Sequence, residues 1–364
     1  MSNLSAYLHV PFCRRKCNYC DFFSAPPAPE AVSSYVNALC SQIRASSCRG
    51  EALRTVYVGG GTPSLLSEDD FTALVAALLD TFDLTSCVEF TVECNPESVT
   101  ESWAKRLYSL GVNRISMGVQ TFSDAALRRL GRLHTAAEAE KAFRILRDAG
   151  FSNISMDLMA ALPEQDLSAL ESDLDRMISL SPEHISVYLL KIEPNTPFGL
   201  TGVTEQDEET QRKMYLLTHQ KLTKAGYEHY EISNFAKQGR RAVHNCVYWT
   251  GGEYLAFGPG ASGFRDGVRY RIPENTAEFC RLNGLVSPFV EERVDAYAQK
   301  AEAIFLGLRM SDGIPLAWID CKKMPFLQRL CEEGLGVLAD QRFSLTAEGF
   351  LVSDGIVSAL MPDK

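Results

Sequence analysis

Over its first 235 residues the chain alternates short apolar runs with longer amphipathic stretches. "SAYLHV", "RTVYV", "VEFTV", "NRISMGV", "NISMDLM" and "HISVYLL" are rich in β-branched and aromatic residues, so each predicts a buried strand. Between them "PEAVSSYVNALCSQIRAS", "SEDDFTALVAALLDTF", "TESWAKRLYSLG", "TAAEAEKAFRILRDAG" and "DLSALESDLDRMISL" carry helical spacing. Ser67 reads as an N-cap with acids in the first turn, and Gly111 and Gly150 read as helix stops. Six units spaced like βαβ repeats predict a parallel sheet, doubly wound or curled into a barrel. The strand ends favour the barrel. They deliver the glycines of "GGGTP", then Glu93, Gln120, Asp157 and Lys191. In a barrel such tips converge on one mouth. Six units rather than eight predict a partial (β/α)6 barrel that stays open on one side.

The pattern changes near residue 236. "HNCVYWTGGEYLAFGPGASGF" reads as irregular, glycine-rich turns, and "APPAP" at 25–29 as a stiff turn. "DAYAQKAEAIFLGLRM" is a helix, and the tail reads as helix, hairpin, helix, a winged-helix-like α+β order. The expected division is a core over 1–235, a connecting segment over 236–284 and a small C-terminal domain over 285–364.

Composition limits the function. With 46% hydrophobic residues the chain has ample core, yet no run of about eighteen apolar residues predicts a membrane span. The N-terminus carries no basic-then-apolar export pattern. A net charge of −10 without a basic run argues against nucleic acid as partner. These features predict a cytoplasmic, reducing setting, where clustered cysteines hold metals more often than disulfides.

Three of the eleven cysteines are clustered: "CRRKCNYCDF" places Cys13, Cys17 and Cys20 at C-x3-C-x2-C, with Phe22 where a fourth would stand. A structural zinc would ask for a fourth Cys or His. Three thiolates on a 4Fe–4S cluster leave one iron with an open position. Arg14, Arg15 and Lys16 are expected to offset the cluster's charge and lower the thiol pKa values. Tyr7, Phe12, Tyr19, Phe22 and Phe23 are expected to form an apolar wall.

C-x3-C-x2-C with an aromatic residue before the last cysteine resembles the signature of the radical S-adenosylmethionine (radical SAM) superfamily, whose partial barrel agrees with the six units. "YVGGGTPSLL" resembles its element that receives the methionyl amine. "VECNPE", "NRISMGVQTFSDAALRRLGRLHT", "SMDLMAALPEQ" and "YEISNFAK" extend the resemblance over nearly the whole chain, to oxygen-independent coproporphyrinogen III dehydrogenase and, more, to its sister branch of HemW-type haem chaperones. The resemblance implies that S-adenosylmethionine is touched by Tyr7, Tyr19, Gly60, Gly61, Thr62, Glu93, Gln120, Arg132 and Asp157. It implies no role for Lys191.

Two features separate the branches. The dehydrogenase has a further cysteine where this chain has Phe22, and an N-terminal extension where this sequence has twelve residues before Cys13. "HNCVYW" matches the H-N-x-x-Y-W motif of the chaperone branch, which implies haem bound by His244, Tyr248 and Trp249, with the imidazole as axial ligand. Relatives often show a His where "GPGASGF" has Ser262, so the resemblance supplies no second haem ligand there. The expected partners are haem, a haem-acceptor protein and an electron donor for the cluster. The rivals are decarboxylation of coproporphyrinogen III and another radical SAM activity such as methyl transfer.

Overall fold

The computed structural model describes residues 4–28 and 30–362; Pro29, the last residue of the expected stiff turn, lies outside them. The six apolar runs form β1 Ser5–Val10, β2 Thr55–Gly60, β3 Glu89–Cys94, β4 Arg114–Gln120, β5 Ile154–Ala160 and β6 His184–Leu189. Each pairs in parallel with the next, in chain order. The connections carry α1 Ala31–Arg44, α2 Glu68–Thr81, α3 Glu101–Ser109, α4 Asp124–Leu130, α5 Ala136–Asp148 and α6 Leu167–Leu180. Local chemistry sets their ends. Ser67 accepts from Asp70 N while Asp70 returns a bond to Ser67 N, and Thr135 and Glu138 repeat this box on α5. Gly111 and Gly150 end α3 and α5 at φ +89° and +107°, as expected of helix stops.

The barrel is open because β1 and β6 pair with other strands. After α7 Pro197–Leu200 and α8 Glu208–Lys224 come β7 Glu228–Glu231 and β8 Asn234–Ala236, and β8 lies antiparallel on β6. The stretch expected to be irregular is ordered. It forms α9 Val243–Trp249, β9 Tyr254–Phe257 and β10 Ser262–Arg265, followed by β11 Val268–Arg271. β9 runs parallel to β1, from Ser5 opposite Tyr254 to Leu8 opposite Phe257. β10, β11 and β12 Phe289–Arg293 continue the sheet antiparallel, so that this sheet has twelve strands among the described residues. These strands are four or five residues long, too short for their alternation to stand out.

Leu8, Val58, Val92, Met117, Met156 and Ile185 put one fully buried side chain from each parallel strand into the main core. Each contributes about 1.5–3 kcal/mol by leaving water, and truncating one to Ala would cost about 2–5 kcal/mol. A second core gathers Ile304, Ile314, Leu327, Leu330, Phe343 and Ile356 from the C-terminal elements, with Tyr215 of α8 packed into it. There the helix Met324–Glu332 precedes the hairpin Gly336–Ala339/Arg342–Leu345 and two short helices, the expected winged-helix-like order.

Candidate cofactor cavities

The carboxyl ends of the parallel strands enclose a cavity of about 350 Å³, which all three clustered cysteines line. β2, β3, β4 and β5 contribute the glycine run, Glu93, Gln120 and Asp157 as expected. β6 contributes Ser186 and Tyr188; Lys191 lies outside, exposed and 3.3 Å from Glu193.

The cysteine loop is held from both sides. The Thr62 hydroxyl donates to Cys13 Sγ (3.4 Å) and Arg132 Nη1 to Cys17 Sγ (3.7 Å). Arg15, expected to offset cluster charge, spends its guanidinium on backbone: it donates to Gly131 O at 2.7 and 3.1 Å and to Arg132 O at 3.1 Å. Asn18 adds bonds to Leu130 O and Arg129 O. The loop is thereby stapled to the turn after α4. For Cys20 burial outweighs the nearby Lys16 and pushes the thiol pKa up, against the expected lowering. Phe22 does not wall the loop off, since 69% of it is exposed.

The glycines are needed for a reason different from ligand approach alone. Gly60 has φ +112°, and a Cβ there would stand 2.7 Å from the His9 ring; at Gly61 it would stand 2.5 Å from Phe12 O. The β2 turn and the β1 loop therefore cross in contact. Glu93 accepts from Tyr57 Oη at 2.6 Å and from Gly60 N at 3.0 Å, and burial raises its pKa to about 7. Burial also raises Asp157, against bonds from Ser186, Ser155 and Ser116 and the pull of Arg114. Arg132 binds Asn95 Oδ1 (2.8 Å) and Gly118 O (2.6 Å), while its buried Nε has no partner among the described residues.

The donors suit a cuboidal cluster with a small zwitterionic ligand beside it. All the cysteines are free thiols. No three ligating side chains among the described residues close on a single ion. A cuboidal cluster does not require that, because each thiolate meets a separate iron. Of the nine residues expected at S-adenosylmethionine, Tyr19, Gly60, Gly61, Thr62, Glu93, Gln120, Arg132 and Asp157 line this cavity. Tyr7 instead lines a second one. Sequence reasoning passed over Tyr57, Asn95 and Arg114. A fully buried arginine opening the apolar run "RISMGV" was the available signal for the last.

The second cavity, about 530 Å³, lies on the β9 side of β1. Tyr7, Tyr248, Trp249, Tyr254 and Phe264 are among its lining aromatics, with Arg269 and Arg271 ion-paired to Glu302 and Glu274 at its margin. Helix α9 stands between the cavities: Asn245 lines the first, Tyr248 and Trp249 the second. Phe22 borders both. His244 lines neither. Its imidazole is fully buried, with Nδ1 2.8 Å from Thr55 Oγ1 and Nε2 2.7 Å from Tyr248 Oη. Ser262 lines the second cavity.

A model of the radical SAM superfamily matches residues 7–177. The chain is 34% identical to the heme chaperone HemW of Lactococcus lactis, over 99% of this chain and 97% of that protein. With HemW of Bacillus subtilis it shares 35% over 98% and 99%, and with HemW of Escherichia coli 39% over 72% and 71%. Among solved structures, coproporphyrinogen III oxidase (HemN) of Escherichia coli, a radical SAM enzyme, superposes with a TM-score of 0.85 over 98% of this chain and 90% of that one; at 19% identity this is a likeness of fold. The six parallel strands in chain order, the three cysteines on one cavity and full-length identity above 30% lead to one conclusion: the chain belongs to the HemW family of heme chaperones within the radical SAM superfamily.

Proposed function

We propose that this chain is a haem chaperone: it takes haem into the aromatic cavity beside β1 and passes it to an acceptor protein, while Cys13, Cys17 and Cys20 hold a 4Fe–4S cluster in the neighbouring cavity. The observation that carries the reading is the position of α9. Tyr248 and Trp249 of the H-N-x-x-Y-W motif line a large aromatic cavity that adjoins the thiol-lined one. The volume lies within the roughly 300–1,000 Å³ of ligand sites, and aromatic faces suit a planar macrocycle.

In the thiol-lined cavity, S-adenosylmethionine is held by Tyr19, Gly60, Gly61, Thr62, Glu93, Gln120, Arg132 and Asp157. When bound, the cluster and S-adenosylmethionine supply one-electron chemistry. The chain's own residues position the ligand: Thr62 and Arg132 reach both thiols and ligand space, and Glu93 and Asp157 offer buried carboxyl groups. The rival, coproporphyrinogen III decarboxylation, draws on likeness of fold and lacks the cysteine that Phe22 replaces.

The test is anaerobic reconstitution followed by haem titration and by incubation with coproporphyrinogen III, S-adenosylmethionine and a reductant. Stoichiometric haem binding without protoporphyrinogen IX is expected. The reading fails if haem does not bind, or if the porphyrinogen turns over at about 1 per second or faster.

A further inference from the structure

The motif helix carries one imidazole, and its surroundings fix its protonation. The Thr55 hydroxyl donates to Ser5 Oγ at 2.8 Å, which leaves Thr55 Oγ1 to accept from His244 Nδ1–H. Nε2 is then without a proton and accepts the Tyr248 hydroxyl at 2.7 Å. Both nitrogens are thus committed. The ring is packed between Tyr57 and Tyr248, each with its centroid 5.1 Å away. The backbone is anchored by the buried Glu89 carboxylate, which accepts from Val243 N at 2.7 Å and His244 N at 2.9 Å. Such an imidazole has neither lone pair nor path for a metal in the second cavity. Tyr248 has both a place in that cavity and a hydrogen-bond acceptor behind its phenol oxygen.

We propose that Tyr248, not His244, is the donor to ferric haem iron, through its phenol oxygen, and that His244 is the positioning residue that orients the phenol and polarises its O–H bond. This rests on the haem reading above. A tyrosine oxygen is an accepted axial ligand of haem iron. The exchange balances without electron transfer: the Fe(III)–O bond forms and the phenol proton moves along its existing hydrogen bond toward His244 Nε2. A second pair of this kind, Tyr7 Oη to His9 Nδ1 at 3.0 Å with His9 Nε2 on Phe23 O at 2.8 Å, lies on the same cavity and supplies the comparison. Its hydrogen bond is the longer of the two.

The test uses the full chain loaded with ferric haem and read by absorption and resonance Raman spectroscopy. Wild type is expected to show phenolate-to-iron charge transfer and tyrosinate vibrations. Tyr248→Phe should abolish both and weaken binding by about tenfold or more. His244→Gln, which keeps an acceptor, should retain the vibrations at a shifted frequency, and Tyr7→Phe should leave them in place. Nitrogen ligation in wild type that vanishes in His244→Ala, or phenolate signals that survive Tyr248→Phe and vanish in Tyr7→Phe, would overturn the assignment while leaving the haem reading intact. Absence of haem binding by wild type would remove the reading beneath it. The wild-type spectrum decides ligand type even if one variant fails to fold.

Discussion

The two cavities meet at Phe22, with β1 lining one and β2 the other, yet are built on opposite terms. In the thiol-lined cavity, charged groups are buried and strained away from their ordinary ionisation: Glu93 is raised to about 7 and Asp157 is raised by burial. In the aromatic cavity Arg269 pairs with Glu302 at 2.8 Å and Arg271 with Glu274 at 3.3 Å, and aromatic faces make up much of the wall. Buried, unspent polar groups gain when a small charged ligand completes them, so they favour fixed retention. Aromatic faces hold a planar ligand without demanding polar partners, which suits cargo that must leave again. Retention and release are thus assigned to adjoining spaces by the kind of side chain exposed to each.

The strongest way to break this comparison is at the thiols. Cys13→Ala, Cys17→Ala and Cys20→Ala should each abolish stable cluster assembly, measured as iron content and visible absorbance, while Cys40→Ala and Cys280→Ala retain it. Haem uptake by the aromatic cavity should survive all five. Next is Gly60→Val, which combines a positive φ with a clash against His9, a residue of the other cavity. A cost of about 3 kcal/mol is expected, together with loss of the change that S-adenosylmethionine makes in the cluster's EPR spectrum. An unchanged spectrum and melting temperature would refute the contact.

Acidity probes the two walls with opposite sign. His244 is neutral in the fold, with its pKa lowered to about 3 from 6.5, so the unfolded chain binds the extra proton. Its contribution is complete above pH 6.5 and is lost as pH falls toward 3, at roughly 1.4 kcal/mol per unit. Glu93 is raised from 4.5 to about 7, so the fold binds the extra proton and stability falls as pH rises from 4.5 to 7. Between pH 4.5 and 6.5 the two slopes offset each other, so in denaturant melts from pH 4 to 7 His244→Gln should leave stability falling as pH rises and Glu93→Gln should leave it rising. Equal behaviour of both variants would contradict the assignment. The smallest effect is expected at Lys191→Ala: within about 0.5 kcal/mol of wild type and without effect on S-adenosylmethionine binding.

The thiol-lined cavity was largely legible because its parts are local: long apolar runs, helix caps and polar tips at strand ends. Lys191 misled because an exposed lysine after a strand looks like a tip; β6 in fact turns Ser186 and Tyr188 inward. Phe22 was read as wall from its hydrophobicity, which does not reveal that it stays 69% exposed while bordering both cavities. The aromatic cavity was mostly hidden. It depends on β9 joining β1, a pairing between residues about 250 positions apart that no local period records. The same pairing sets Tyr7 opposite Ala256, and Tyr7 and Tyr254 both line the second cavity. His244 illustrates the limit: the sequence supplies an imidazole, and three-dimensional burial decides that it faces Thr55 and Tyr248.

The β1–β9 pairing also sets an order of events at the ribosome. β1 emerges before both its neighbours, and β2 covers one of its edges after about fifty residues more. Its other edge stays uncovered until Tyr254–Phe257 has been synthesised, which at ordinary translation speeds takes on the order of ten to forty seconds. An open strand edge of that duration is a site for mispairing. The thiol loop can thus be in place while the sheet beside it is unfinished, and amide exchange at Ser5–Leu8 should be faster in arrested chains ending before Tyr254 than in those ending after Phe257.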